Sequence, residues 1–203
     1  MRALLLDLGN VLVRFDHGRT LGRIEQATGV PAERLRPHIF GGLERSLDLG
    51  ELTSVEFFRL AEDAAGLPRL PDSLWIEAWR DIFEPIPEAL ALIPRLVPEL
   101  ATAVVSNTNE LHWDGVLRVS PVDRLVDALV LSFEVGYVKP DERIWRTALD
   151  RLGSAANETT FADDRADLVE AARTFGLDAF VVDSPATLET ELGRRGLLMA
   201  DSL

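Results

Sequence analysis

The sequence predicts an α/β protein: a parallel sheet covered by helices on both faces, with an all-helical module inserted after the first strand. Three observations carry this expectation. Short apolar runs at residues 3–8, 101–105, 128–131, 159–162 and 179–182 have the length and composition of buried parallel strands. Helical periodicity separates strand from strand in the second half of the chain, the alternation that a parallel sheet requires. Residues 16–84, by contrast, contain no convincing strand pattern and several helical ones.

The elements follow in order. The first run ends in Asp7-Leu8-Gly9-Asn10, a polar exit from an apolar strand. Helices are expected at 20–28 and 32–39. Thr53-Ser54-Val55-Glu56 is a capping box that opens a helix running to Ala65, with Gly66 as its stop. A further helix is expected at 74–83, where Trp75 and Trp79 lie one turn apart and read as core of the helical module. Glu84-Pro85-Ile86-Pro87 reads as a stiff, extended hinge returning to the sheet. The expected organisation is therefore a core of residues 1–15 and 85–203 and a helical cap of residues 16–84. Downstream, 88–98 has Leu90, Ile93 and Val97 at helical spacing, with Pro94 as a distortion. Residues 141–152 place Ile144, Trp145, Ala148 and Leu152 on one face, and 165–175 do the same with Leu168, Ala172 and Phe175; Gly153 and Gly176 stop these helices.

Composition narrows the function classes. The chain has 203 residues, 47% hydrophobic and 27% charged, the balance of a globular protein. Its net charge of -13 disfavours nucleic acid and anionic lipid as partners. No apolar run reaches membrane-spanning length, and the amino-terminal segment lacks a signal-peptide core, so a cytoplasmic location is expected. There are no cysteines, which excludes disulfides and thiolate chemistry, and the three histidines have no zinc-site spacing. Monomer and homodimer both remain open.

Ligands of open parallel sheets bind beyond the carboxyl ends of the strands. Polar residues gather at those ends here: Asp7 after the first strand, Ser106-Asn107-Thr108 after the second, Asp163-Asp164 after the fourth, with Lys139 in the connection after the third. Each has an ordinary reading alone, as a cap, a turn or a solvated lysine. Together, in the segments LLLDLGNVLV at 4–13, VVSNTN at 104–109, GYVKPDERIW at 136–145 and FADDRADLVEAA at 161–172, they resemble the haloacid dehalogenase-like (HAD) hydrolase superfamily. The resemblance is nearest to its capped phosphatases with a D-L-G-N-V first motif, many of which act on sugar phosphates.

That resemblance implies a Rossmann-like sheet of strand order 3-2-1-4-5. It also implies a Mg²⁺-dependent phosphatase acting on a small phosphorylated metabolite. Asp7 would be the nucleophile, forming an aspartyl-phosphate. Asp7, Asp163 and Asp164 form the all-oxygen anionic set that Mg²⁺ prefers, and the resemblance adds the Gly9 carbonyl as a ligand. Ser106, with the backbone amides of Asn107 and Thr108, would hold the phosphoryl oxygens, and Lys139 would tie phosphate to Asp7. Asp164 is expected to cap the helix at 165 as well, and Asp167 to be a first-turn residue. Cap residues His17, Arg19, Glu44, Arg45 and Trp79 are candidates for substrate selection.

One position departs from the family pattern. Many of its phosphatases carry an acid two residues after the nucleophile, and here that residue is Gly9. Asp16 is a candidate substitute, with helix capping as its competing role; Glu44, Asp48 and Glu51 are further acids of the cap. Two other activities stay open: a metal-independent 2-haloacid dehalogenase, and a weakly active or non-catalytic phosphate- or protein-binding member.

Overall fold

The computed structural model describes residues 2–199. Its strands are β1 (Ala3–Leu6), β2 (Val13–Phe15), β3 (Phe83–Pro85), β4 (Ala101–Ser106), β5 (Ala128–Leu131), β6 (Thr159–Asp163) and β7 (Asp178–Val181). Its α-helices are α1 (His17–Thr28), α2 (Ala32–Ile39), α3 (Gly42–Asp48), α4 (Ser54–Ala65), α5 (Asp72–Arg80), α6 (Pro87–Leu90), α7 (Glu110–Val119), α8 (Ser132–Val135), α9 (Glu142–Leu152), α10 (Ala166–Phe175) and α11 (Pro185–Arg194). Five strands form one sheet in the order β5-β4-β1-β6-β7. The expected order of the five core strands is met, and every pairing within the sheet is parallel.

Strand alternation explains why both faces are covered. Leu4 and Leu6 of β1 point into one apolar cluster, with Val104, Ala162, Val116 of α7 and Leu188 and Leu192 of α11. Ala3 and Leu5 point into another, with Val105, Phe161, Ile144 and Trp145 of α9 and Val169 of α10. All four β1 side chains are buried, so a strand without polar alternation is what this central position needs. No helix among the described residues is long and apolar enough to cross a membrane.

The helices between β2 and β3 have their own apolar cluster. It joins Leu21 and Ile24, Leu35 and Ile39, Phe57 and Phe58, and Trp75 and Trp79. Leu111 of α7 enters this cluster from the sheet side, and Trp79 stacks on His112 with ring centroids 5.5 Å apart. Gly115 of α7 lies so close to the Arg80 carbonyl of α5 that a Cβ would collide with it. The helical layer thus sits directly on the site end of α7.

Three expectations are corrected. The span from 83 to 87 is not a bare hinge: β3 pairs antiparallel with β2, Val13 opposite Pro85 and Phe15 opposite Phe83. The two crossings are therefore zipped together by a short ribbon, too short to show a period in sequence. Residues 88–98 do not form one helix. After α6, Pro94 sits in a 3₁₀ turn, Ile93–Arg95, because its ring cannot continue an α-helix. The helix expected at 74–83 runs from Asp72 to Arg80, and α3, which carries the diglycine start Gly41-Gly42, was not expected as a helix.

Inside the cap, Glu62 is a fully buried carboxylate. It accepts hydrogen bonds from the Leu70 amide at 3.0 Å, Trp75 Nε1 at 2.9 Å, Arg59 at 2.8 Å and Arg69 at 3.0 Å. Burial alone would raise its pKa, but these donors outweigh burial and bring it down to about 2. A depressed carboxylate stabilises the fold above its unfolded-state pKa, and that contribution is lost as pH falls toward 2. Glu62→Ala should cost about 3–5 kcal/mol by leaving buried donors unpaired, and Glu62→Gln less, since its oxygen can still accept. Urea midpoints at pH 7 check the order, and equal midpoints for the two variants would contradict it.

Candidate active site

Three strand ends converge at the carboxyl edge of the sheet. Asp7 follows β1, and its amide donates to the Ala162 carbonyl of β6 at 2.8 Å, which fixes it beside Asp163. Asp163 ends β6 and is fully buried. Lys139 reaches both: Nζ donates to Asp7 Oδ1 at 2.6 Å and to Asp163 Oδ2 at 2.7 Å. Burial raises the Asp7 pKa to about 6; Lys139 pulls against that rise and Asp163 adds to it. Burial would lower the Lys139 pKa, but the two carboxylates prevail and raise it.

Lys139 is aimed by its backbone. The Asn107 side chain accepts from the Lys139 amide at 2.7 Å and donates to the Lys139 carbonyl at 3.0 Å. The Lys139-Pro140 bond is cis. Asn107 thus clamps the lysine loop to the end of β4, a role that the sequence did not reveal because the partners are 32 residues apart. Thr108 also differs from expectation. Its amide donates to Ser132 Oγ at 2.8 Å, and Ser132 Oγ donates back to the Thr108 carbonyl at 2.8 Å. That amide is therefore committed within the protein. Ser106 is buried at the end of β4, and with Asn107 and Thr108 it lines the cavity above Asp7.

The acidic pair divides its work. Asp163 Oδ1 accepts the Arg165 amide at 2.9 Å, so Asp163, not Asp164, satisfies the turn into α10. The helix begins at Ala166, and Arg165 at its cap position makes no side-chain cap bond. Asp164 instead accepts from Asn10 Nδ2 at 2.9 Å. Asn10 sits in the left-handed region at φ 55°, a conformation its short polar side chain tolerates. Asp7, Asp163 and Asp164 present oxygens within 4.8 Å of one another, a spacing and chemistry that fit one hard divalent cation. Asp167 pairs with Arg165 on the surface, as a first-turn residue does.

Above these groups lies a cavity of about 340 Å³, roofed by the helical layer. His17, Glu44, Arg45 and Asp48 line it from the cap side, and His112 from α7. Arg19 does not line it; it pairs with Asp81 and Glu84. Trp79 is buried in the cap cluster rather than at the cavity. Asp16 caps α1, accepting the Gly18 amide at 2.7 Å, and is not among the cavity-lining residues. Gly9 lines the cavity beside Phe15, and a Cβ there would meet the Phe15 ring at 2.8 Å. The neighbouring ring thus occupies the space into which a side chain at position 9 would project.

The bridging lysine gives a pH-dependent test of metal-free protein. An acid whose folded pKa is raised costs stability as pH climbs from its unfolded to its folded value. Without Lys139 the Asp7 pKa must rise further, since the partner that lowers it is gone. Lys139→Met should therefore lose stability, by about 3–5 kcal/mol at pH 8, and less at pH 5, where Asp7 can protonate. Thermal melts in chelator at the two pH values read this; a loss that is equal at both would refute it.

The family model for haloacid dehalogenase-like hydrolases matches residues 1–176. Phosphatase MT3486 of Mycobacterium tuberculosis is 28% identical over 190 residues, 89% of this chain and 87% of its own. D-ribitol-5-phosphate phosphatase of Bacteroides thetaiotaomicron is 24% identical over 200 residues, 95% of this chain and 97% of its own. A shorter match, 34% over 76 residues, covers 37% of this chain and 33% of (S)-2-haloacid dehalogenase 4A of Burkholderia cepacia. In fold, the chain is similar to a HAD-family enzyme from Bacteroides thetaiotaomicron crystallised with magnesium and inorganic phosphate, with a TM-score of 0.78 at 24% identity over 89% of this chain and 93% of that one. With its parallel sheet, its four motifs at one sheet edge and its matched residues, this chain belongs to the haloacid dehalogenase-like hydrolases.

Proposed function

We propose that this protein is a Mg²⁺-dependent phosphatase that hydrolyses a small soluble phosphomonoester of the sugar-phosphate kind through an aspartyl-phosphate on Asp7. The observation that carries this reading is the buried triad in which Lys139 bridges Asp7 and Asp163 with Asp164 alongside. A magnesium- and phosphate-bound relative in fold and two phosphatase relatives support it.

Asp7 Oδ attacks phosphorus while the bond from phosphorus to the leaving oxygen breaks; water then attacks the same phosphorus and releases phosphate. Lys139 holds a positive charge beside Asp7 and faces the oxygens of the transferring group. The Ser106 hydroxyl donates to another of those oxygens, and the Asn107 clamp keeps Lys139 in place. Asp7, Asp164, Asp163 and the Gly9 carbonyl would hold the Mg²⁺, whose positive charge would offset that of the phosphoryl group and the carboxylates. Burial of Asp7 keeps the nucleophile poorly solvated, and the helical roof limits water at the site. A metal-free attack on a carbon–halogen bond has no use for Asp164, whose carboxylate is held at the cavity by Asn10.

The test is para-nitrophenyl phosphate hydrolysis with Mg²⁺ and with chelator, for the wild type and Asp7→Asn. Wild-type turnover should require Mg²⁺, and Asp7→Asn should fall to background. Mg²⁺ should also raise the melting temperature of the wild type by mass action, and Asp164→Asn should blunt that rise. Activity that survives Asp7→Asn would overturn the mechanism. Chloride release from 2-chloropropionate without phosphatase activity would replace it with dehalogenation.

A further inference from the structure

An alkoxide or phenoxide leaves phosphorus slowly unless a proton reaches its oxygen, and that proton is worth roughly 10²–10⁴-fold. Gly9 has none to give, and Phe15 fills the space beside it. The cap-side wall of the cavity is made by His17, Glu44, Arg45 and Asp48, with His112 of α7 beside them. We propose that Glu44 of α3 is the general acid that protonates the leaving oxygen and the general base that activates water in the second step. This assignment rests on the phosphatase reading above.

Position and partners single out Glu44. Asp48, one turn along α3, already accepts from Asn109 Nδ2 at 2.8 Å. His112 is stacked on Trp79, and Asn109 lies 3.1 Å from its Nδ1. Glu44 accepts from the Gly41 backbone amide, and its Oε1 lies 3.7 Å from His17 Nε2, beyond hydrogen-bond reach. Its side chain is 20% exposed, into the cavity it lines. Two ring nitrogens of cavity-lining residues, His17 Nδ1 and His112 Nε2, are buried without a hydrogen-bond partner.

The charges around Glu44 agree. Burial and Asp48 push its pKa up to about 7, against the Gly41 amide and Arg36 of α2. Burial holds His17 down to about 4, with Arg36 adding and Asp16 opposing, and holds His112 down to about 3, with His17 adding. Both imidazoles are therefore neutral at pH 7, and a neutral imidazole is not an acid. Burial raises Asp48 to about 6, against Asn109 and Arg45. An incoming phosphate dianion raises the Glu44 pKa further.

The steps balance. In the first, Asp7 Oδ bonds to phosphorus, the bond to the leaving oxygen breaks, and the Glu44 carboxylic proton passes to that oxygen, giving an alcohol and a Glu44 carboxylate. In the second, a water oxygen bonds to phosphorus, the bond to Asp7 breaks, and the water proton passes to Glu44, giving phosphate and restoring the acid.

Substituted phenyl phosphates, from para-nitrophenyl to unsubstituted phenyl, test the assignment by pre-steady-state release of the phenol. Para-nitrophenolate leaves without help and phenolate does not. Glu44→Gln should release para-nitrophenol in a first-turnover burst near the wild-type rate, then turn over slowly. On phenyl phosphate its first turnover should fall about 10²-fold. The wild type should lose its phenyl phosphate burst rate as pH rises above about 7, and Glu44→Gln should show no such limb. Parallel dependence on leaving group in the two proteins, or a limb retained in Glu44→Gln and removed in Asp48→Asn, would overturn the assignment. Failure of the phosphatase reading shows separately, as a wild type that releases no para-nitrophenol at all.

Discussion

One buried cation holds the site together. Lys139 Nζ lies between Asp7 and Asp163, and none of the three side chains is materially exposed. Two carboxylates in so dry a place repel each other, and neither tolerates burial alone. The lysine makes their approach possible, and three strand connections must be aligned for it to do so. β1 and β6 are adjacent in the sheet, which brings Asp7 to Asp163. β4 lies on the other side of β1, which brings Asn107 to the lysine loop. The parallel topology therefore serves the ion cluster, and the cluster in turn locks the edge of the sheet.

The helical layer adds a different environment a few residues away. The floor of the cavity is ionic, with Lys139 among carboxylates. The wall opposite carries one guanidinium, Arg45, among groups whose charge burial opposes, His17, His112, Glu44 and Asp48. The ribbon of β2 and β3 fixes where the roof meets the floor, and Phe15, at its end, closes the space over Gly9.

Much of this was legible in sequence, for physical reasons. Buried parallel strands must be continuously apolar, so all five were visible, as was the polar residue that ends each of three. The Thr53–Glu56 capping box was realised in full because its two reciprocal bonds are local. What escaped was non-local or very short. The three-residue strands β2 and β3 have no period to read. Asn107 looks like any turn residue until its partner 32 positions away is placed. The Thr108 amide could be assigned to a ligand only while Ser132 was unplaced. Asp163 and Asp164 are interchangeable as text; only the turn geometry shows that the first accepts the Arg165 amide in the turn into α10 and the second turns toward Asn10.

For a chain of net charge -13, the phosphate dianion of the proposed reaction poses a general electrostatic problem. Its surface repels the ligand at a distance, and the effect fades within a Debye length of about 8–10 Å in physiological salt. Attraction must then be local and dry, where a charge counts for more than in water. Lys139 meets that need only in part, because Asp7 and Asp163 already share its charge. With Asp164 the floor holds three carboxylates against one lysine. A phosphate dianion would raise that imbalance, so binding demands a further positive charge at the floor. The same excess of negative charge favours a proton on any carboxyl group above the ligand. The acidity of the site and the absence of a side chain at Gly9 are in this sense connected: a proton lost from one wall is most cheaply kept on the other.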